Sequence, residues 1–414
     1  MGEGRSVADR WFTRERMRNY PVIVVVLSAT VWLGTIAAGD LPLVLGGQVV
    51  LPDFLAYWTG GRGLVEGFGA DLYDPARQGP LQQEEVPGMT GFSWFVAPPF
   101  VAVLLAPLGA LAYLVAAFCF AVINGLALAV IIRGLLHLAP GIRREDRRLV
   151  VLGCVAFPPV FEAFAAGQMS LIFLALWVTA MRCAADGRPV WAGMLLALAA
   201  FKPHLVLLVP CALIARRDWR ALAGYVVVGS GLLLVSFAAV GQRGMRNWVD
   251  ALGSAAYREL VGSGQAWKTI SLAAWGESLP ATRGLGILSL GVGAIAVFMA
   301  ARTSLPDPLR DLAVLSLLTV VFSPHAMLYD GVLLLPIAIW LLSAGLLVRA
   351  RWLLLVIWVL LFSTSMRHAL AEAVPLLGWA DLPLAALPMA VLVWRLRQLD
   401  GTDRARATRS SRRP

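Results

Sequence analysis

Residues 113–133 read YLVAAFCFAVINGLALAVIIR, an uncharged run closed by Arg133. A helix of that length rises about 30 Å, enough to cross the hydrocarbon core of a bilayer. The run is continuous, whereas a barrel strand would alternate polar and apolar residues, so it reads as a membrane helix. Similar runs recur through the 414 residues, of which 59% are hydrophobic and only 14% charged. A soluble domain needs a polar surface that this composition does not supply. The expectation is an all-α polytopic membrane protein. A formal net charge of +10 would suggest a nucleic-acid partner in a soluble protein. Here the arginines gather at the termini and in short connections, as orientation signals do. The expected surroundings are therefore membrane lipids, with no nucleic acid.

About twelve spans are expected, near 20–39, 113–133, 148–166, 168–185, 189–202, 203–216, 219–241, 284–302, 309–323, 325–347, 351–368 and 381–398. Arg5, Arg10, Arg14, Arg16 and Arg18 precede the first, and the tail from Arg395 onward is strongly basic. Basic connections hold Arg143, Arg144, Arg147 and Arg148, then Arg182 and Arg188, then Arg216, Arg217 and Arg220, then Arg349 and Arg351. Placing all of these in the cytoplasm gives a consistent path with both termini inside. The expected organisation is a cytoplasmic segment 1–19, a membrane domain 20–398 and a cytoplasmic tail 399–414. Two large external loops result, about 40–112 and 242–283. On this path the apolar segment 98–111 is re-entrant or interfacial; the alternative makes it a crossing and fuses 189–216 into one span. The run Val22–Ala38 is longer than a signal-peptide core and reads as an uncleaved first span. Cys119, Cys154, Cys183 and Cys211 show no CxxC spacing and read as packing residues.

Polar groups at membrane depth are costly and usually functional. Counting from the N-terminus puts Asp53 outside; counting back from the C-terminus puts His325 there too. Asp53 admits two readings, a general base that takes a proton from a sugar hydroxyl or an ordinary helix-start aspartate. His325 follows Ser323-Pro324 and either contacts a phosphate or orients a carboxylate; its plainer reading is a lone interfacial histidine. Lys202 interrupts the apolar run from Val190 to Ile214 and precedes Pro203. A cation there suits a phosphate leaving group, or else it snorkels to the interface. Gln168, in Gly167-Gln168-Met169-Ser170, offers a donor and an acceptor to a sugar hydroxyl or simply fills a turn. Glu162 and Asp330 read as supporting partners or structural ion pairs, and His204 as a weaker candidate. The second external loop carries Lys268 with Trp248, Trp267 and Trp275, which suit an interfacial helix or a wall around a sugar. Neither a nucleotide-binding motif nor a metal DxD motif is present. No cofactor and no metal ligand is assigned, and metal use stays open.

At these residues the chain resembles glycosyltransferase family 87, a bacterial group of GT-C enzymes. The resemblance rests on Asp53-Phe54 with Tyr57-Trp58, Ala97-Pro98-Pro99 before a short apolar helix, Gly167-Gln168, Lys202-Pro203, and Ser323-Pro324-His325 followed by Tyr329-Asp330. The family includes mycobacterial mannosyltransferases dependent on polyprenyl-phosphate-mannose. The resemblance implies a GT-C-type bundle, a polyprenyl-phosphate sugar donor, a glycolipid or glycan acceptor and an inverting transfer on the periplasmic face of the inner membrane. It implies catalytic roles for Asp53 and His325 and substrate contacts for Tyr57, Gln168, Lys202 and Lys268. One stretch departs from the family: an Asn-Gln-Ser-type segment in the second loop is replaced by Gly264-Gln265-Ala266-Trp267-Lys268, so mannose is not assumed. The rival expectation is a transporter or flippase for a lipid-linked sugar, for which broken helices are present but an internal repeat is not.

Overall fold

The computed structural model describes residues 13–259, 265–275, 285–303 and 307–396. Arg5, Arg10, Gly264 and the tail 399–414 lie outside the described residues. Among those described the chain is helical, with two isolated β-bridges, Leu43 to Val49 and Thr269 to Met327.

Of the expected spans, four are helices long and apolar enough to cross a membrane alone: Arg14–Ala37, Tyr113–Leu138, Trp219–Gly253 and Leu376–Leu396. Two bent pairs raise the number to six, Arg144–Val155 with Pro158–Ala166 (47°) and Leu347–Phe362 with Thr364–Ala373 (51°). The other expected spans fall on apolar helices of 10–17 residues, such as Ser170–Ala185 and Pro189–Phe201. The expected single span 148–166 is thus broken. Phe157 is extended (φ −75, ψ 122) before Pro158, because a proline ring excludes the helical conformation in the residue ahead of it. The expected span 325–347 likewise opens as a 3-10 helix, Leu328–Leu334, and becomes α-helical only at Leu335–Ser343.

The stretch expected as a loop at 242–283 begins as helix. Gly241 (φ 65, ψ −176) kinks the long helix, which then continues to Gly253. The part before the kink, 219–240, rises about 33 Å, close to the thickness of the hydrocarbon core. The part after it docks on the segment 40–112. There Arg243 pairs with Asp71 at 2.7 Å, and the Trp248 indole donates to the Val96 carbonyl at 3.0 Å.

The segment 40–112 is itself built of short helices, Pro52–Val65, Pro75–Glu85 and Pro99–Gly109, each with proline at its start, where the missing N–H costs nothing. Pro99–Gly109 is about 16 Å long, half the thickness of a hydrocarbon core. It packs on Pro52–Val65 through glycines. A Cβ on Gly61 would lie 2.5 Å from the Leu105 carbonyl oxygen, and one on Gly109 would lie 2.3 Å from the Arg62 nitrogen. Gly109→Val is therefore expected to lower the melting temperature in detergent, at a cost of about 1–3 kcal/mol from overpacking. Gly125→Ala, with no atom within 4 Å of the added carbon, is the control and should melt as the wild type.

Several of the arginine-bearing connections make ion pairs with neighbouring segments. Arg14 reaches Glu145 at 3.3 Å and Asp146 at 3.2 Å, so the start of the first helix and the 143–148 connection share one end of the bundle. Arg216 pairs with Asp311. Trp191, Trp219 and Trp352 are exposed beside these arginine-bearing connections, the placement interfacial tryptophans take.

Candidate active site

Asp53 stands in the first turn of Pro52–Val65, two residues after Leu51, whose backbone is left-handed (φ 53). That unusual turn is held from below. The buried Tyr113 hydroxyl donates to the Val50 carbonyl at 2.6 Å and the Leu51 carbonyl at 2.9 Å. It is packed from above by Gly167 (φ 73), which closes Pro158–Ala166. A Cβ on Gly167 would sit 2.7 Å from the Phe54 Cβ and 2.8 Å from the Leu51 Cβ. Glycine suits that position on both counts, left-handed backbone and close approach.

This contact delivers Gln168 to Asp53. Gln168 Nε2 donates to Asp53 Oδ2 at 2.9 Å, and Gln168 Oε1 accepts from the Tyr57 hydroxyl at 3.0 Å. Tyr57 lies one helical turn after Asp53, so both side chains share a face. Burial, with the Asp53 and Asp330 carboxylates nearby, pushes the Tyr57 phenol well above its ordinary range. It therefore remains a protonated donor, which fixes the orientation of the Gln168 amide and aims its NH₂ at Asp53.

Ser170, two residues after Gln168, opens the next helix and leads to a second cluster. Its hydroxyl donates to Asp330 Oδ1 at 2.8 Å, and Lys202 Nζ donates to the same oxygen at 2.6 Å and to Ser170 Oγ at 2.8 Å. Lys202 is 4% exposed and Asp330 1%. The Tyr329 ring lies 4.4 Å from the same ammonium. Lys202 occupies the break between the Ala199–Phe201 turn and Pro203–Val206. A charge buried to this degree requires a partner, and Asp330 supplies it. His204 Nε2 stands 4.0 Å from Asp330 Oδ2. Its ring meets the His325 ring edge-on, with centroids 5.6 Å apart and planes at 76°.

Lys268 lies in the short turn Ala266–Lys268. Thr269 bridges to Met327, and the Ile270 amide donates to the Ala326 carbonyl at 2.8 Å. This lays residues 268–270 along the His325 segment. Lys268 Nζ is 3.9 Å from Glu162 Oε1 and 5.0 Å from the Trp267 ring. Trp267 in turn stacks on His368 (4.2 Å, 6°).

Asp53, Tyr57 and Gln168 thus form one hydrogen-bonded chain. Lys202, Ser170 and Asp330 form a second one, two residues along the backbone from Gln168; His204 and His325 pack beside it, and Lys268 lies beside the His325 segment. Asp330, expected as a supporting partner or structural ion pair, is the hub of the second cluster. Two features of the sequence point to it: its place in Tyr329-Asp330 just after the histidine, and a lone lysine in an apolar run that needs a carboxylate. Ser170 carried no signal beyond adjacency to Gln168. Among the described residues no group of three or more His, Cys, Asp or Glu side chains could hold a metal ion.

The family model for glycosyltransferase family 87 matches residues 95–324. The matched stretch holds Gln168, Lys202 and Lys268 and ends one residue before His325. The chain is 26% identical over 361 residues, 82% of its length and 84% of the relative's, to a polyprenol-phosphate-mannose-dependent alpha-(1-2)-phosphatidylinositol pentamannoside mannosyltransferase of Mycolicibacterium smegmatis. No solved structure matches it.

Proposed function

Because the chain belongs to glycosyltransferase family 87 and is therefore a glycosyltransferase, we propose that it moves one sugar from a polyprenyl phosphate to a glycolipid or glycan hydroxyl. The transfer takes place on the periplasmic face of the inner membrane, with both termini in the cytoplasm, and inverts the anomeric carbon. Asp53 takes the proton of the acceptor hydroxyl, whose oxygen bonds to the anomeric carbon as the bond to the phosphate breaks. Polyprenyl phosphate leaves with one more negative charge than it carried as donor. His325 and Lys268 stand on the phosphate side, where cations and donors offset that charge. The Lys202 ammonium is already engaged by Asp330, so it supports the phosphate side at one remove. Tyr57 and Gln168 hold Asp53 and contact the acceptor sugar. Mannose is the first sugar to test, because the mycobacterial relative is polyprenol-phosphate-mannose-dependent.

The observation that carries this reading is the joining of two clusters through one short turn. Gln168 bonds the Asp53 carboxylate, and Ser170 bonds the Lys202–Asp330 pair. A base and a leaving-group side are thereby held in fixed relation, as an orientation-driven transfer needs. The test is incubation of the purified protein, in detergent, with polyprenyl-phosphate-mannose and phosphatidylinositol mannosides, read by mass spectrometry. The expected product is an acceptor heavier by a single hexose. Passage of lipid-linked sugar across sealed vesicles without such a product would instead support a transporter.

A further inference from the structure

The most deeply buried charges of this site lie away from Asp53, in the pair of Lys202 and Asp330. A buried ion pair is seldom more stabilising than apolar residues of the same volume, so its presence calls for another reason. Each Asp330 oxygen has its own task. Oδ1 accepts from Lys202 Nζ and Ser170 Oγ. Oδ2 accepts from the Met327 amide at 3.0 Å and lies 4.0 Å from His204 Nε2. One carboxylate therefore ties together the turn after Gly167, the helix break at Lys202-Pro203 and the segment 323–330.

His325 sits in that segment with its backbone pinned on both sides. Its own amide donates to Ser323 Oγ at 3.2 Å, the Ala326 carbonyl accepts from Ile270, and Met327 is held by Asp330. Its ring rests against His204, whose Nε2 faces the same carboxylate. We propose that Asp330 is a positioning residue of the transfer reaction: clamped by Lys202 and Ser170, it fixes the Met327 amide and the His204 ring and so sets where His325 stands relative to the departing phosphate. The proposal rests on the reading of His325 as a phosphate-side group given above. It assigns the lone lysine of the first membrane half to the support of a histidine, and it leaves Lys268 as the cation that reaches the donor.

The test uses the full chain in detergent with Lys202→Met and Asp330→Asn combined, which removes both charges and leaves no buried ion unpaired. Three quantities are read: the melting temperature, the hydrogen exchange of amides 325–327, and the steady-state constants for the polyprenyl-phosphate sugar. The melting temperature should stay near that of the wild type, and the exchange should quicken about tenfold. Turnover should fall about a hundredfold with donor KM within about threefold, the mark of a misplaced rather than a missing binding group. Unchanged exchange together with unchanged kcat would overturn the proposal. If the wild type itself makes no product, the functional reading fails, and the exchange arm alone then decides whether Asp330 orders the His325 segment. Should the double variant not fold, Ser170→Ala loosens Asp330 without unpairing an ion and carries the same test, with a turnover loss of about tenfold.

Discussion

Asp53→Asn is expected to cut sugar transfer by about a thousandfold, the middle of the range that general-base catalysis contributes. The substitution is nearly isosteric. An asparagine oxygen can still accept from Gln168 Nε2, so the link at 2.9 Å and the packing of Leu51 and Phe54 on Gly167 survive. What disappears is the ability to take the acceptor proton as the new bond forms. Melting temperature and donor KM should therefore hold while kcat collapses, whereas a lower melting temperature with a raised donor KM would mean that Asp53 is structural. Retention of near-wild-type turnover with sound folding would remove it from the mechanism.

Lys202→Met alone is expected to cost about 3–5 kcal/mol of stability, because it leaves the Asp330 carboxylate buried without its cation. The lysine and its partner are 4% and 1% exposed, so water cannot take over the lost bonds. Yield and melting temperature in detergent should fall together. Adding Asp330→Asn should recover most of the loss, since the penalty belongs to the unpaired charge and not to the missing lysine. A single variant that melts as the wild type would show that the pair is open to solvent.

Much of this architecture was legible in the chain. Helices were visible wherever apolar residues run on without alternation, as at Tyr113–Leu138, because a backbone in hydrocarbon must satisfy its own hydrogen bonds. Places where helices stop were less legible. Phe157-Pro158-Pro159 interrupts a run that is apolar on both sides, so hydropathy alone joins what the backbone breaks. The start at Leu328 as a 3-10 helix was hidden for a similar reason. It depends on Asp330 bonding back to Met327 while also holding a lysine 128 residues away.

The candidate site divides in the same way. Asp53, Gln168, Lys202 and His325 stood out because polar residues are rare at that depth and each has a turn or proline beside it. Their partnerships did not stand out. Asp53 meets Gln168 only because Gly167 lets two helices approach within a Cβ radius, and Lys202 meets Asp330 only because three helix ends converge. Composition, apolar run length and arginine placement by themselves determined that this is a helical membrane protein with its rare polar residues gathered toward one end. The tertiary structure alone decided which of those residues bond to which. The first depends on transfer of each segment from water to lipid, a local and additive property, whereas the second depends on close packing and on the demand of each buried charge for a partner, which local sequence does not encode.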